Sequence, residues 1–328
     1  MKKLMGLLLV LALMLSTAAA LAQYPVTLTD QAGREVAIGA EPQRIVSGYY
    51  ISTSACIALG LEDRMAAVEA KANVRNIYRL AAPQLMELPN VGTAKAFDLE
   101  ACLAAEPELV ILPKRLKDAA QALSEFGIPV LLVNPEDDAL MAEMIGLIGA
   151  AANVQARAEA LNAYIAGQLA LCSETLSGAQ PVTALMLGNS DYMTCAPGDM
   201  YQNAVLEGAG AVNAAAELSG GDWAALSYEQ LLTLNPQALI VPAEASYTAE
   251  DVMNDPELAA LAAVRDGAVY EMPRGFEAWD SPVPSGMLGT LWLASTLHGD
   301  VYSRERYVDA ATELYETYYG FTPDEAQL

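Results

Sequence analysis

Leu226-Ser227-Tyr228-Glu229 runs through a short apolar segment to Pro236 and then to Leu239-Ile240-Val241-Pro242. Earlier in the chain, Phe97-Asp98-Leu99-Glu100 runs in the same way to Pro107 and then to Leu109-Val110-Ile111-Leu112-Pro113. In both stretches one proline follows the glutamate by seven residues and a second follows it by thirteen. An unbroken apolar run closed by a proline reads as a strand buried on both faces of a parallel sheet, and the glutamate opens the helix that leads into it. The chain therefore holds two similar α/β lobes, each presenting an acidic residue at a helix start.

The pattern extends outward from both copies. Val26-Thr27-Leu28 and Val36-Ala37-Ile38 flank Asp30-Gln31-Ala32-Gly33-Arg34, a hairpin with glycine at its turn. Arg44 to Gly48 reads as the first core strand, followed by a helix through Leu59 that Gly60 ends. Further strands are expected at Met65 to Val68, Leu109 to Leu112 and Val130 to Val133, with helices between them, which makes the first lobe a small doubly wound sheet. Val154, Ala158, Leu161, Ile165, Leu169 and Leu176 recur at spacings of three, four and seven, so residues 154–177 predict one helix. At 1.5 Å per residue it would span roughly 36 Å, enough to act as a stiff strut between lobes. A second βα series follows, with strands at Val182 to Leu187, Leu239 to Val241 and Ala268 to Met272. Helices at Met287 to Leu297 and Arg304 to Tyr319 close the chain, and Tyr315, Tyr318, Tyr319 and Phe321 read as packing at the end of the last one.

Lys2 and Lys3, the apolar run Leu4 to Leu15 and the small-residue site Ala20-Leu21-Ala22 form a secretion signal over residues 1–22. The run is short for a membrane span, and no cysteine stands at the cleavage point, so the expected product is exported, soluble and without a lipid anchor. Seventeen basic residues face 41 acidic ones, a net charge of −24 that repels nucleic acid and anionic membranes. Cys56, Cys102, Cys172 and Cys195 show no knuckle spacing; Cys56 and Cys102, in apolar helical contexts, read as buried free thiols, and the sequence leaves the disulfide state of the four open. His298, the single histidine, excludes a metal centre built from several imidazoles and reads as a helix-end residue. Neither a glycine-rich phosphate loop nor a Gly-x-Ser-x-Gly elbow occurs, so no catalytic residues are expected.

An ordered set of segments carries a resemblance over nearly all of the mature chain. They are Thr29-Asp30-Gln31-Ala32-Gly33-Arg34-Glu35-Val36, Pro42-Gln43-Arg44-Ile45-Val46, Leu59-Gly60-Leu61-Glu62-Asp63-Arg64, Val91-Gly92, the two glutamate stretches, Gly127-Ile128-Pro129-Val130 and Ala263-Val264-Arg265-Asp266-Gly267-Ala268-Val269-Tyr270. The chain resembles the ABC importer substrate-binding proteins for ferric siderophores, haem and cobalamin. The resemblance implies two α/β lobes joined by one rigid helix, with the ligand held in the cleft between them. On this chain the lobes fall at 23–152 and 178–328, with the joining helix at 153–177. It also implies a monomer with no resident cofactor that docks on a permease dimer through Glu100 and Glu229. Exposed carboxylates suit that role because they steer encounter and fix register on a symmetric partner.

Ligand contacts are expected on loops at the carboxyl ends of the strands. These are Tyr49 and Tyr50 after the first strand, Lys71, Arg75 and Arg79 after the second, and Lys114, Arg115 and Lys117 after Pro113. Lys95 lies where relatives place a ligand contact. The second lobe offers Tyr192, Tyr201, Trp223, Arg274 and the loop residue Trp279, with Phe276 and Asp280 beside it. Eight cations near one rim of so acidic a chain predict positive potential in the cleft. The expected cargo is a small-molecule metal complex: a ferric siderophore first, then another anionic metal chelate or oxyanion, then haem or cobalamin. The alternative role is a ligand-binding sensor component.

Overall fold

The computed structural model describes residues 24–328; the signal peptide expected at residues 1–22 lies outside the described residues. Val26–Thr29 and Glu35–Ile38 pair antiparallel, with Thr29 opposite Glu35. The buried Asp30 organises their turn. Its carboxylate accepts from the Ala32 and Arg34 amides and pairs with the Arg34 guanidinium at 2.7 Å. It also accepts from the Leu132 amide at 3.0 Å, which fastens the hairpin to the edge of the first sheet.

That sheet is parallel, in the spatial order Met65–Ala67, Ile45–Ser47, Leu109–Pro113, Val130–Val133. The second is also parallel, in the order Ala211–Asn213, Val182–Met186, Ala238–Val241, Val269–Glu271. In each, the earliest strand lies second and the later two extend away from it, so both lobes have the same topology. The central strands Leu109–Pro113 and Ala238–Val241 are buried throughout, as their unbroken apolar runs require. Within these two parallel sheets, Ala211–Asn213 is the strand that the pattern did not predict: three residues of edge strand carry too little periodicity to stand out.

The repeated template folds the same way twice. Helix Leu99–Ala104 is capped by Asp98, which accepts from the Ala101 amide at 2.9 Å, and helix Tyr228–Leu234 by Ser227 in a reciprocal capping box with Gln230. Ahead of each helix stands a two-residue strand in an antiparallel pair, Ala96–Phe97 with Gly92–Thr93 and Ala224–Ala225 with Thr194–Cys195. Gly92 has φ +79, and a side chain there would meet the Ala96 carbonyl at 2.2 Å, so the first of these turns requires glycine.

Helix Gln155–Thr175, 21 residues long, lies between the two sheets in the chain. It packs against Asp138–Ala151, and against Tyr201–Gly208 and Met287–Leu297 farther on. Met287–Leu297 is helical over the expected span. The last helix is α-helical over Arg304–Leu314, passes into a π-helical turn at Tyr315–Tyr319 and stops at Gly320, φ +75. That turn stacks Tyr315 on Phe276 and Phe321 with ring centroids 5.0 and 4.9 Å apart, and the tyrosine cluster packs as expected. All four cysteines are free and buried. His298 caps the helix Met287–Leu297, with Nε2 3.2 Å from the Gly210 carbonyl. Among the described residues no helix is long and apolar enough to cross a membrane.

Candidate functional site

A cavity of about 320 Å³ opens between the lobes, walled by Tyr50, Lys71 and Arg75 from the first and by Glu244, Arg274 and Glu277 from the second. Each residue follows a parallel strand: Tyr50 comes after Ile45–Ser47, Lys71 and Arg75 after Met65–Ala67, Glu244 after Ala238–Val241, and Arg274 and Glu277 after Val269–Glu271. The carboxyl ends of both sheets thus face one another across the space, which is where open α/β sheets bind. The Asn76 side-chain amide donates to the Arg274 carbonyl at 3.3 Å and closes one edge.

Arg75 is the centre of the site. Its guanidinium lies over the Tyr50 ring, 4.2 Å from the centroid, and its Nε is 3.4 Å from Glu69 Oε1. Glu69 is itself buried and fixed by the Thr53 hydroxyl at 2.6 Å and the Tyr78 hydroxyl at 2.7 Å. Burial, with the Glu69 charge beside it, holds the Tyr78 hydroxyl well above its ordinary pKa, so it stays protonated and donating. Arg75 is therefore held by charge and stacking on a rigid base. Yet Nε is buried without a hydrogen-bond partner, and no hydrogen bond from this guanidinium appears among the described residues. Buried donors in that state call for an explanation.

The other cations differ. Arg274 donates to the Ala245 carbonyl at 2.9 Å and the Tyr247 carbonyl at 2.7 Å, and pairs with Glu271 at 2.7 Å. Its donors are spent on tying two loops together. Lys71 is exposed at the rim, in a left-handed conformation with φ +73.

Glu277 lines the cavity, and Asp280, three residues farther along, lies outside the lining. Glu277 accepts from the Ser285 hydroxyl and, at 3.4 Å, from Tyr319, and burial raises its pKa. Asp280 is buried with Oδ1 unpartnered, and burial, helped by the Glu244 charge, pushes it up to about 6. Burial, with the charge of Asp138 at the start of a first-lobe helix, holds the hydroxyl of Tyr201 in the second lobe well above the ordinary value. Burial likewise pushes Tyr50 up to about 12, against a hydrogen bond from Ser281.

Of the residues singled out in the sequence, the cavity gathers Tyr50, Lys71, Arg75, Arg274 and Phe276. Tyr49 stands behind, edge-on to Tyr50 at 5.5 Å. Arg79 is exposed beside Asn76, Lys95 lies in the hairpin turn and Lys114 in the turn after Pro113; none of them lines the cavity. Tyr192 donates to Asp255 at 3.1 Å and packs on Tyr247, and Trp223 is half-buried; both lie outside the lining. Two expectations need correction. Trp279 is not a cleft wall: it is 0% exposed, stacked on Phe276, with its indole N–H donating to the Tyr315 hydroxyl at 3.0 Å. The π-helical turn of the last helix covers this loop, which made it core. The rim is also less positive than eight cations suggested. Three line the cavity, and Arg75 and Arg274 are matched by carboxylates. Glu69, Glu244 and Glu277 escaped the sequence reading, although Glu244 stands at the repeat position of Arg115, fifteen residues past its template glutamate.

Two like-folded lobes with a ligand-sized cavity between their strand ends define a solute-binding protein. Residues 45–274 match the periplasmic binding protein family model, and the chain belongs to that family. It is a binding protein and not an enzyme. It is 24% identical to the molybdate-binding protein MolA of Haemophilus influenzae over 91% of this chain and 93% of that one. An uncharacterised ABC transporter substrate-binding lipoprotein of Bacillus subtilis is 27% identical, over 66% of this chain and 69% of its own length. The structure of MolA bound to molybdate superposes with a TM-score of 0.82 at 21% identity, covering 91% of this chain and 99% of that one. Helicobacter pylori CeuE with Ni(II) bound gives 0.79 at 20% identity, covering 92% and 98%. These likenesses fix the fold.

Proposed function

We propose that this protein is the extracytoplasmic receptor of an ABC importer and that it holds a compact anionic metal species, an oxyanion or a small ferric chelate, against Arg75. The observation that carries the reading is the Arg75 guanidinium, which lines the cavity, is fixed by Glu69 and Tyr50, and makes no hydrogen bond among the described residues. Such a group is preorganised for a multiply bonding anion. A volume of about 320 Å³ lies at the small end of ligand pockets, which favours an oxyanion or citrate-sized chelate over a bulky siderophore, haem or cobalamin. The names of the relatives point the same way: one binds molybdate and another is an ABC transporter substrate-binding protein.

In the same reading the signal is cut after Ala22, the lobes are 23–152 and 178–328 about the helix 153–177, and Glu100 and Glu229 meet the permease. Both glutamates are exposed in the first turn of their helices. The test is a calorimetric titration of residues 23–328 with molybdate, ferric citrate, a ferric hydroxamate, haem and cobalamin. Saturable binding of molybdate or ferric citrate, weakened more than about tenfold in Arg75→Gln, supports the reading; that factor corresponds to a charge-assisted hydrogen bond of about 1.5–3 kcal/mol. Binding of cobalamin or haem alone, indifferent to Arg75→Gln, overturns it.

A further inference from the structure

The template repeat sets Glu244 in the second lobe where the first lobe has Arg115: each lies two residues past the closing proline. A charge of opposite sign thus occupies the equivalent position. The Glu244 carboxylate reaches across the cleft toward Arg75, with Oε1 3.7 Å from Nη1. That is an ion pair without hydrogen-bond contact. The Glu244 side chain is 59% exposed, whereas Arg75 is 22% exposed and clamped from beneath by Glu69 and Tyr50. One partner of the pair is fixed and the other rests in solvent, held by charge alone.

We infer that Glu244 is a built-in competitor of the anionic ligand for Arg75, and so a specificity-determining residue of the cleft; the inference rests on the anion-receptor reading above. A carboxylate tethered to the opposite lobe is present at high effective concentration, so an incoming anion must displace it. Having done so, the anion sits within a few ångströms of the displaced negative charge. A monoanion offers Arg75 no more charge than Glu244 already supplies and gains little. A dianion or a polycarboxylate chelate can bond several guanidinium donors together and outbid a single unbonded carboxylate. The device thereby filters out chloride and simple carboxylates, which outnumber any scarce metal anion. Because the pair is exposed on the Glu244 side, its strength is modest and falls with salt.

The experiment compares wild type, Glu244→Gln, Glu244→Arg and Arg75→Gln by titration with molybdate and with ferric citrate, at low salt and at about 0.5 M salt. Glu244→Gln keeps the shape and is on the surface, so the fold is expected to survive, and Glu244→Arg repeats the residue type of the other lobe. Affinity is expected to rise about threefold to tenfold in Glu244→Gln, from losing the exposed pair and the repulsion together, and further in Glu244→Arg, with both gains shrinking at high salt. Acetate should inhibit both variants more strongly than wild type. Unchanged or weaker binding in Glu244→Gln, alongside a loss in Arg75→Gln, overturns the competitor role and leaves the anion receptor standing. If neither wild type nor Glu244→Gln binds either probe, the receptor reading falls and this inference falls with it.

Discussion

Glu106 and Asn235 take the same left-handed backbone, φ +49 and +40, each immediately before the first proline of its template copy. Proline pushes the preceding residue out of the right-handed helical region, and one left-handed residue then turns the chain from helix to strand. Asparagine tolerates this conformation and its side chain accepts from the Ala262 amide at 2.9 Å; glutamate has neither advantage. Glu106→Asn is therefore expected to stabilise the protein by about 0.5–1 kcal/mol, and Asn235→Ala to destabilise it by about 1–2 kcal/mol. Midpoints of urea unfolding measure both. Loss of stability in Glu106→Asn would count against the equivalence.

Trp279 is fully buried and hydrogen-bonded to Tyr315. Trp279→Ala is expected to cost about 3–5 kcal/mol, and Tyr315→Phe about 1–2 kcal/mol because it strands the indole N–H. The same denaturation series measures them. A Trp279→Ala variant of wild-type stability would return this residue to the cleft.

Asp280 titrates near 6 in the folded protein against an ordinary value of 3.8, because burial disfavours its charged form. Folding therefore takes up a proton between these values. Stability contributed by the neutral form is complete below about pH 4 and is lost as pH rises through about 6, a change on the order of 3 kcal/mol. Asp280→Asn should remove this slope and be more stable than wild type at pH 7. Parallel pH profiles for the two proteins would contradict the assignment.

Glu100 and Glu229 are exposed in first turns whose caps, Asp98 and Ser227, do not involve their side chains. Replacing them leaves both helices capped, at a cost of about 0.3–1 kcal/mol each from the helix dipole. The double variant Glu100→Arg/Glu229→Arg is expected to keep ligand affinity within about twofold and to lose import at least tenfold, since like charge at a docking surface opposes both encounter and register. Uptake of labelled ligand beside a binding titration separates the two effects. Undiminished uptake would remove these residues from the docking surface.

Most of the architecture was legible because its signals are local. Leu109–Pro113 and Ala238–Val241 announce themselves as unbroken apolar runs, and the Asp30 turn by its spacing to Gly33 and Arg34. The helix predicted over 154–177 is found at Gln155–Thr175, with Val154 and Leu176 as its caps. The short edge strand Ala211–Asn213 escaped because three residues cannot show a period. The cleft was legible only in outline. Strand ends located Tyr50, Arg75 and Arg274, but Arg79, Lys95 and Lys114, equally close in sequence, turn elsewhere.

By itself the sequence determined the two α/β lobes, their buried central strands and the helix between them, since each follows from periodicity and from prolines and caps acting over a few residues. Only the tertiary structure decided which charges are free. Arg274 is consumed by carbonyls at 245 and 247, Arg75 is clamped with its donors unbonded, and Glu244 meets it from the other lobe. Whether a charged side chain binds a ligand or its own protein depends on neighbours brought together from distant positions, and nothing in the local chain records that distance.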